Sequence, residues 1–454
     1  MRERLQDALF GPVLAVVMLC LLAFIGGAWT AWRDGFPFDP FLRRAFIGLT
    51  AVWTQYLAPK PVFASDAWMP IDGRETGVLK HDPESAFEGH TLVTFGQQAV
   101  LIDMAGRPVH RWSLSYEQIR AATGQAGPDM PETWLYWNNA RLYPNGDLVV
   151  IVAAWETTPV GVAVIKIDRA SNLLWAHPRH VHHDLDRDDA GRLYVLDQQV
   201  REARPPQLWG LNEPLLDEHV VVLSREGQEL RRVSILDAFA DSAYAALINE
   251  VAPDNLRRWG DYLHTNNVEL VTPALAQQFP FLAPGQVILS MRQLDTIAAL
   301  DLERKTIVWA ARGPWRRQHD PDLLPNGHIV LFDNQGDWVR NGRSRVIEVD
   351  PKTNGIVWSY PSADGGELWS AYRGQQQVLP NGNVLINEFL RGRLLEVTRD
   401  GEIAWEFVSP FRHRLDQSYV GRIMQAQRYG APEIPFVTAR DGLVHRDPEE
   451  EAPQ

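Results

Sequence analysis

The stretch LPNGHIVLFDN (residues 324–334), followed by SRVIEVDPKTNGIVWSYP (344–361), decides the fold. It contains a turn ending in glycine, a strand, a second strand ending near an aspartate, a turn, and a strand that closes with tryptophan. The same order recurs in YPNGDLVVIVAAW (143–155) with GVAVIKIDRASNLLWAH (161–177), and in LPNGNVLINE (379–388) with RGRLLEVTRDGEIAWEF (391–407). Such self-similarity indicates one supersecondary unit that is copied along the chain.

The repeat predicts an all-β protein, a six-bladed β-propeller. Six copies of three or four short strands start near residues 91, 136, 181, 263, 318 and 371, and a four-stranded blade buries its faces against its neighbours. The first copy is short of a strand, which we expect RIMQAQRYG (422–430) to supply, closing the ring. We expect the closing tryptophans to pack between blades, since an indole buries a large apolar area. They are Trp112, Trp175, Trp309, Trp358 and Trp405.

Two segments depart from the repeat. Residues 201–262 include alanine and leucine at helical spacing and predict a helical insertion between blades. FGPVLAVVMLCLLAFIGGAWTAW (10–32) carries no charge and is long enough to cross a hydrocarbon core of about 30 Å. We therefore expect an N-terminal transmembrane helix, with a cleaved signal peptide as the alternative. The expected domains are a membrane anchor with its juxtamembrane segment (1–60), the propeller (61–435) and a flexible C-terminal tail (436–454).

Composition narrows the classes of function. The formal net charge of −13 argues against a broad nucleic-acid-binding surface but leaves room for a small cationic pocket. The sole cysteine, Cys20, lies inside the apolar N-terminal segment. The rest of the chain therefore offers no disulfide, no thiolate metal site and no cysteine nucleophile.

Aligning the copies on their turn glycines brings polar residues to one position. Asn138, His183 and His319 each stand eight residues before such a glycine, and His264 opens the corresponding strand of the fourth copy. Because the first strand of each propeller blade lines the central channel, we expect these four side chains to converge in a ring. Arg292 lies among apolar residues in the second strand of the His264 copy, and an arginine in such a place is rarely buried without a partner.

A ring of imidazoles with one guanidinium suits a small tetrahedral oxyanion, because arginine offers a planar fork of donors. Two other roles stay open. The histidines at 183, 264 and 319 could bind zinc or iron, since imidazole is a common metal ligand, and the protein would then be a metal-dependent enzyme. Alternatively, the propeller could be a non-catalytic scaffold in a membrane assembly, because a fold alone does not define a function.

Four motifs resemble those of the bacterial arylsulfotransferases that work without the usual nucleotide sulfate donor. They are HHDLDRDDAG (182–191), DYLHTNN (261–267), SMRQLDTI (290–297) and QHDPDLLPNGHIVLFDN (318–334), and the resemblance extends over about residues 85–430. It implies a six-bladed propeller, exported to the periplasm, that moves a sulfuryl group from an aryl sulfate to a phenolic or other hydroxyl acceptor through a sulfated histidine. With the apolar segment as a single-pass anchor, the protein would lie in the bacterial inner membrane with its propeller in the periplasm.

The resemblance also implies roles for individual residues. By position, His319 matches the nucleophilic histidine. Arg292, His264, Asn266 and His183 match the groups that surround the sulfate. One of the two supporting histidines would protonate the departing phenolate and later take the proton of the acceptor.

Asn138, Asp320 and Asn334 are predicted to bind substrate together with Asn266. No metal, nucleotide or other cofactor is implied. The expected partners are a small-molecule aryl sulfate donor and a hydroxyl acceptor, with no nucleic acid. An anchored member of the family could also act on a lipid-linked or polymeric acceptor, and a homo-oligomer is compatible with the sequence.

Overall fold

The structure is a computed structural model, and it describes residues 18, 20–23, 67–124, 132–155, 157–250, 260–336, 343–362, 367–414 and 416–437. By its internal contacts the chain divides into two units, Met1–Val62 and Phe63–Gln454. Every described strand lies in the second unit.

Six antiparallel sheets form the blades of a six-bladed β-propeller, which confirms the predicted fold class. With strands numbered along the chain and each blade given from its inner edge outward, blade 1 contains β27 (Gln425–Tyr429), β3 (His90–Phe95), β4 (Gln98–Ile102) and β5 (Pro108–Ser113). Blade 2 contains β6 (Leu135–Leu142), β7 (Leu148–Ala154), β8 (Ala163–Ile167) and β9 (Leu173–His177). Blade 3 contains β10 (Val181–Arg187), β11 (Leu193–Arg201), β12 (Leu215–Leu223) and β13 (Glu229–Ser234). Blade 4 contains β14 (Thr265–Leu270), β15 (Val287–Met291), β16 (Thr296–Asp301) and β17 (Thr306–Arg312). Blade 5 contains β18 (His319–Leu323), β19 (Ile329–Asp333), β20 (Arg345–Asp350) and β21 (Gly355–Tyr360). Blade 6 contains β22 (Gln375–Val378), β23 (Val384–Glu388), β24 (Arg393–Val397), β25 (Ile403–Val408) and, as a fifth and outermost strand, β2 (Gly77–His81).

Short elements complete the described part of the chain. A separate two-stranded sheet pairs β1 (Trp68–Pro70) with β26 (Tyr419–Gly421). The α-helices are α1 (Tyr116–Thr123), α2 (Ile235–Ala240), α3 (Ala245–Asn249) and α4 (Pro273–Ala276). Single 3-10 turns cover Glu132–Trp134, Arg292–Leu294, Phe389–Arg391, Ala431–Glu433 and Pro435–Val437.

The hydrophobic core lies in layers between neighbouring blades. In β19, Ile329 and Leu331 pack with residues of blade 4, whereas Val330 and Phe332 pack with residues of blade 6. Because successive residues of a strand point to opposite faces, a strand that is buried on both faces is apolar throughout. This explains the uninterrupted apolar run IVLF (329–332) that marks the repeat.

The closing tryptophans connect five of the six blades to the blade that follows. Four of their indole N–H groups donate to a backbone carbonyl of the following blade, at 2.8–3.1 Å. The pairs are Trp112 with Gly146, Trp175 with Arg225, Trp358 with Arg399, and Trp405 with Met104. The fifth indole, Trp309, stacks on Phe281 of its own blade with ring centroids 4.8 Å apart, and it packs against the apolar cluster that joins blades 4 and 5. The predicted packing between blades is therefore confirmed.

The ring closes through the C-terminal strand, as predicted. Strand β27, which lies within 422–430, pairs antiparallel with β3 and becomes the inner strand of blade 1. Blade 1 is therefore built from both ends of the propeller. A propeller closed in this way leaves only short, protected sheet edges.

The helical insertion predicted at 201–262 is not shown, and its boundaries are wrong. Strands β12 and β13 occupy much of this range as the outer half of blade 3, and only the short helices α2 and α3 are described beyond them. Helical spacing of alanine and leucine holds over 235–249, whereas the run HVVVL (219–223) is rich in β-branched residues, which favour a strand.

The predicted transmembrane helix at 10–32 lies outside the described residues, except for positions 18 and 20–23. No helix in the described part of the chain is long and apolar enough to cross a membrane. The predicted tail at 436–454 lies outside the described residues beyond position 437.

Candidate active site in the central channel

A cavity of about 330 Å³ is lined by residues of five blades. Its wall contains five of the eight residues that the sequence assigns to the site: Asn138, His183, His264, Arg292 and His319. They come from blades 2 to 5. Residues far apart in the sequence therefore meet at one place, as the alignment of the copies predicts.

Bulges in the inner strands lie at or next to four of these side chains, those of Asn138, His183, His264 and His319. The pairing register shifts once in each of β6, β10, β14 and β18. His183 and His264 have φ angles of 58° and 50°, in the left-handed region that residues with a Cβ rarely adopt. A bulge redirects a side chain, and a residue persists at positive φ only where its surroundings hold it there.

The hydrogen bonds around His319 fix its tautomer. Its Nδ1 lies 2.7 Å from Asn334 Oδ1 and 3.2 Å from the carbonyl oxygen of Arg317. The Asn334 amide nitrogen donates to the carbonyls of Ser370 and Arg373, so the amide oxygen faces the imidazole. Nδ1 therefore carries the hydrogen, and Nε2 keeps its lone pair.

The charge state of His319 follows from its surroundings. Burial lowers the pKa of His319 well below its ordinary value, and the positive charge of Arg292 acts in the same direction. The imidazole is therefore neutral near pH 7, the state in which its nitrogen is nucleophilic. Arg292 is itself buried, in the 3-10 turn after β15, and its backbone N–H donates to the carbonyl of His264 at 3.2 Å.

His264 is held by an acidic neighbour. Its Nδ1 lies 2.5 Å from Asp261 Oδ2, and Asp261 Oδ1 accepts the backbone N–H of His264 at 3.1 Å. The carboxylate thereby holds a proton on Nδ1 and leaves Nε2 for proton exchange. A paired aspartate and histidine of this kind can serve as general acid and base.

His183 begins a buried chain of polar groups behind the cavity wall. Its Nδ1 lies 2.6 Å from Nδ1 of His182, whose Nε2 lies 3.8 Å from Glu218 Oε1. Burial lowers the pKa of His182 to about 3 and raises the pKa of Glu218 to about 8, so both are uncharged at neutral pH. Burial and His182 also lower the pKa of His183 well below its ordinary value.

Three predicted site residues do not line the cavity, and their predicted contact with substrate stays a prediction. Asn266 is buried and donates to the carbonyl of Gln318 at 2.8 Å, and Asn334 lies behind His319. The carboxylate of Asp320 accepts the backbone N–H of Gln376 at 3.1 Å. It points away because Asp320 lies in the bulge between His319 and Asp322, with a φ of 54°.

The cavity also has lining residues that the sequence did not single out. The main ones are the aromatic Tyr136, Trp155 and Tyr372, and a second arginine, Arg373. The rings of Tyr136 and Trp155 stack with centroids 4.5 Å apart. Arg373 stands immediately before Gly374, which lies eight residues before the turn glycine Gly382 and so occupies the ring position of the last copy. This neighbour was the one available signal.

The metal-dependent alternative can be compared with the geometry of the histidines. The rings of His183 and His264 meet edge to face, with centroids 4.9 Å apart. Within the described residues, no three His, Cys, Asp or Glu side chains are arranged to hold a metal ion.

The fold and the cavity define a class: a six-bladed propeller with histidines and arginines in its central channel. The family model for arylsulfotransferases (ASST) matches residues 163–410, more than half of the chain. The chain belongs to the arylsulfotransferase (ASST) family, which confirms the resemblance of its motifs. Membership supports an arylsulfotransferase-like activity in general terms.

Similar solved structures include several with low sequence identity. A protein of unknown function from Bacteroides caccae is 10% identical, with a TM-score of 0.45 over 74% of this chain and 99% of that chain. A streptogramin B lyase is 9% identical (TM-score 0.38, 78% and 93% covered), and a virginiamycin B lyase from Staphylococcus aureus is also 9% identical (TM-score 0.38, 75% and 87% covered). No curated protein gives a significant sequence match.

Proposed function

We propose that this protein transfers a sulfuryl group from an aryl sulfate ester to a phenolic or other hydroxyl acceptor, with His319 as the covalent carrier. The observation that carries the proposal is the 2.7 Å bond between His319 Nδ1 and Asn334 Oδ1. It leaves a neutral Nε2 on a histidine that lines the cavity together with Arg292. Membership of the arylsulfotransferase family supports the reaction class.

In the first half-reaction, the lone pair of His319 Nε2 attacks the sulfur of the donor. A nitrogen–sulfur bond forms, the bond between sulfur and the aryl oxygen breaks, and the aryl oxygen leaves with the electron pair. Arg292 stabilises negative charge on the sulfuryl oxygens. His264, backed by Asp261, donates a proton from Nε2 to the leaving oxygen.

In the second half-reaction, the acceptor hydroxyl oxygen attacks the same sulfur. The nitrogen–sulfur bond breaks, and its electron pair returns to Nε2 of His319. The acceptor proton moves to His264, which restores the starting state. His319 keeps its Nδ1 hydrogen bonded to Asn334 throughout, so its ring does not need to turn between the two steps.

Mass spectrometry tests the covalent step. The protein is mixed with 4-nitrophenyl sulfate, and His319→Ala and His81→Ala are treated in parallel. We expect a gain of one sulfuryl group on His319, release of nitrophenol, and neither in His319→Ala. The His81→Ala control should behave like the unmodified protein, because His81 is exposed on the outer strand β2.

Two results would contradict the proposal. Nitrophenol release at the normal rate by His319→Ala would remove His319 as the carrier. If the unmodified protein forms no adduct and releases no nitrophenol, the result favours the scaffold alternative.

A further inference from the structure

The cavity holds a second arginine that the proposed transfer does not use. Arg373 lies before β22 in blade 6, and its side chain reaches blade 2. There Nη1 donates to Asn138 Oδ1 at 2.7 Å, and Nη2 donates to the Tyr136 hydroxyl at 3.1 Å. Both acceptors are neutral groups, so these bonds fix the guanidinium in place without neutralising its charge.

Aromatic rings surround the same guanidinium. Its central carbon lies 5.0 Å from the ring centroid of Trp155, 5.1 Å from that of Phe389 and 5.3 Å from that of Tyr136. Such contacts stabilise the cationic guanidinium. Five N–H donors lie in its plane, and the bonds to Asn138 and Tyr136 engage two of them. A planar anion can therefore approach Arg373 along its edge.

Arg292 and Arg373 lie on opposite sides of the channel. Arg292 belongs to blade 4, whereas Arg373 spans from blade 6 to blade 2, past the position of blade 1. In a ring of six blades, blade 4 faces blade 1. Burial lowers the pKa of His319, and the charges of both arginines add to this effect, so His319 is within electrostatic reach of both.

The charge of the cavity exceeds what a simple aryl sulfate requires. Two guanidinium groups line it, and the part of its wall that the structure describes includes no aspartate or glutamate. A sulfate monoester carries one negative charge. A ligand with a second negative charge would match both cations.

We propose that Arg373 binds a carboxylate of the substrate, so that the preferred donors and acceptors are aryl sulfates and phenols with a carboxylate on the ring, away from the reacting oxygen. This inference rests on the proposed function and names its substrate class. Arginine pairs with a carboxylate through two parallel hydrogen bonds. The stacked rings of Tyr136 and Trp155, next to Arg373, offer apolar surface to the aryl group between the two charges.

Two donors of nearly equal shape test the charge preference. One is 4-sulfooxybenzoate, with a carboxylate opposite the sulfate ester. The other is 4-sulfooxybenzamide, in which an uncharged carboxamide replaces the carboxylate. The measured quantity is kcat/KM for 4-sulfooxybenzoate divided by kcat/KM for 4-sulfooxybenzamide. We expect Arg373→Met to lower this ratio by about tenfold or more, because the charge-assisted pair between Arg373 and the carboxylate is lost. Comparing the ratio between variants cancels the different reactivities of the two leaving groups.

A matched control comes from the same blade. Arg391→Met also removes one positive charge, but Arg391 pairs with Glu367 at 2.9 Å and does not line the cavity. We expect its ratio to equal that of the unmodified protein. If Arg373→Met leaves the ratio unchanged, Arg373 does not read the carboxylate and the inference is wrong.

Binding provides a test that needs no catalysis and no variant. In calorimetry with the unmodified protein, 4-hydroxybenzoate should bind about tenfold more tightly than 4-hydroxybenzamide, and equal affinities would overturn the inference. Selective binding without any sulfuryl transfer from 4-nitrophenyl sulfate would refute the proposed function and leave the carboxylate site standing. Transfer from 4-nitrophenyl sulfate without a preference for benzoate would refute the carboxylate site alone.

Discussion

At the scale of single residues, Asn334 supplies the shorter of the two hydrogen bonds that decide which nitrogen of His319 can react. Asn334 donates its two amide hydrogens to the carbonyls of Ser370 and Arg373, at 2.6 and 2.5 Å. It cannot turn its oxygen away from the imidazole without leaving these buried carbonyls unpaired. A neutral amide selects the tautomer without adding charge, whereas a carboxylate at this position would raise the pKa of the histidine.

Replacing Asn334 should therefore slow the first half-reaction. We expect Asn334→Ala to lower the rate constant for sulfuryl transfer to His319 by about a hundredfold, because Nε2 would carry the hydrogen for much of the time. KM should change little, since Asn334 does not line the cavity. Rapid-quench measurement of nitrophenol release gives both values.

The control for this change is Asn145→Ala, in an exposed turn of blade 2. It should retain the normal rate. An Asn334→Ala protein with an unchanged rate constant would show that the tautomer is not set by this bond.

The site was predictable where it depends on the repeat and not where it depends on local departures from it. A fixed offset from a turn glycine holds in several blades, and it predicted that His319 lies in the ring around the channel. The direction of Asp320 depends on a bulge after His319, which no residue pattern announces. Arg373 stands one residue before the ring position and contacts Asn138 in a distant blade, a pairing that only the closed ring creates.

At the scale of strands, the bulged inner strands of blades 2, 3 and 4 meet at one buried carboxylate. Asp184, in β10, accepts the amide N–H of Asn139 at 2.7 Å, that of Asn267 at 3.2 Å and the backbone N–H of Val268 at 3.1 Å. Arg141 lies 3.3 Å from the same side chain. The group therefore fixes the strands that present the histidines to the cavity.

Asp184→Asn should destabilise the propeller. The new amide places two N–H groups among donors that need an acceptor, and it leaves Arg141 without its buried partner. We expect a loss of about 3–5 kcal/mol in the free energy of unfolding, measured by urea denaturation. Asp189→Asn, in the exposed turn of the same blade, should change the value by less than about 0.5 kcal/mol. Equal stability of both variants would mean that Asp184 does not tie the strands together.

At the scale of the whole molecule, a repeat that lacks one strand was enough to predict a closed ring. The count of strands shows that blade 1 needs a partner from the C-terminus, and β27 supplies it. The sequence could not show which side chains hold the closing strand in place, because they form an ion pair between different blades, which we call the lock. Its members are Arg428 of β27 and Glu396 of blade 6, whose side chains are both fully buried.

The lock around Arg428 combines several contacts. Its Nη1 pairs with Glu396, its Nε donates to Thr91 Oγ1 at 3.0 Å, and its guanidinium lies 4.5 Å from the ring centroid of Trp405. Thr91 belongs to β3 in blade 1, and Glu396 and Trp405 belong to blade 6. One side chain on the closing strand thus joins the first blade to the last.

Removing one partner of the Arg428–Glu396 pair should destabilise the closed ring more than removing both partners. We expect Arg428→Met to reduce the free energy of unfolding by about 3–5 kcal/mol, because Glu396 would remain buried with its charge uncompensated. The double variant Arg428→Met with Glu396→Leu should recover part of that loss, since no unpaired charge is left. Urea denaturation of the two single variants and the double variant completes the cycle. If the two single losses simply add in the double variant, the pair contributes no coupling and ring closure depends on the hydrogen bonds between β27 and β3 instead.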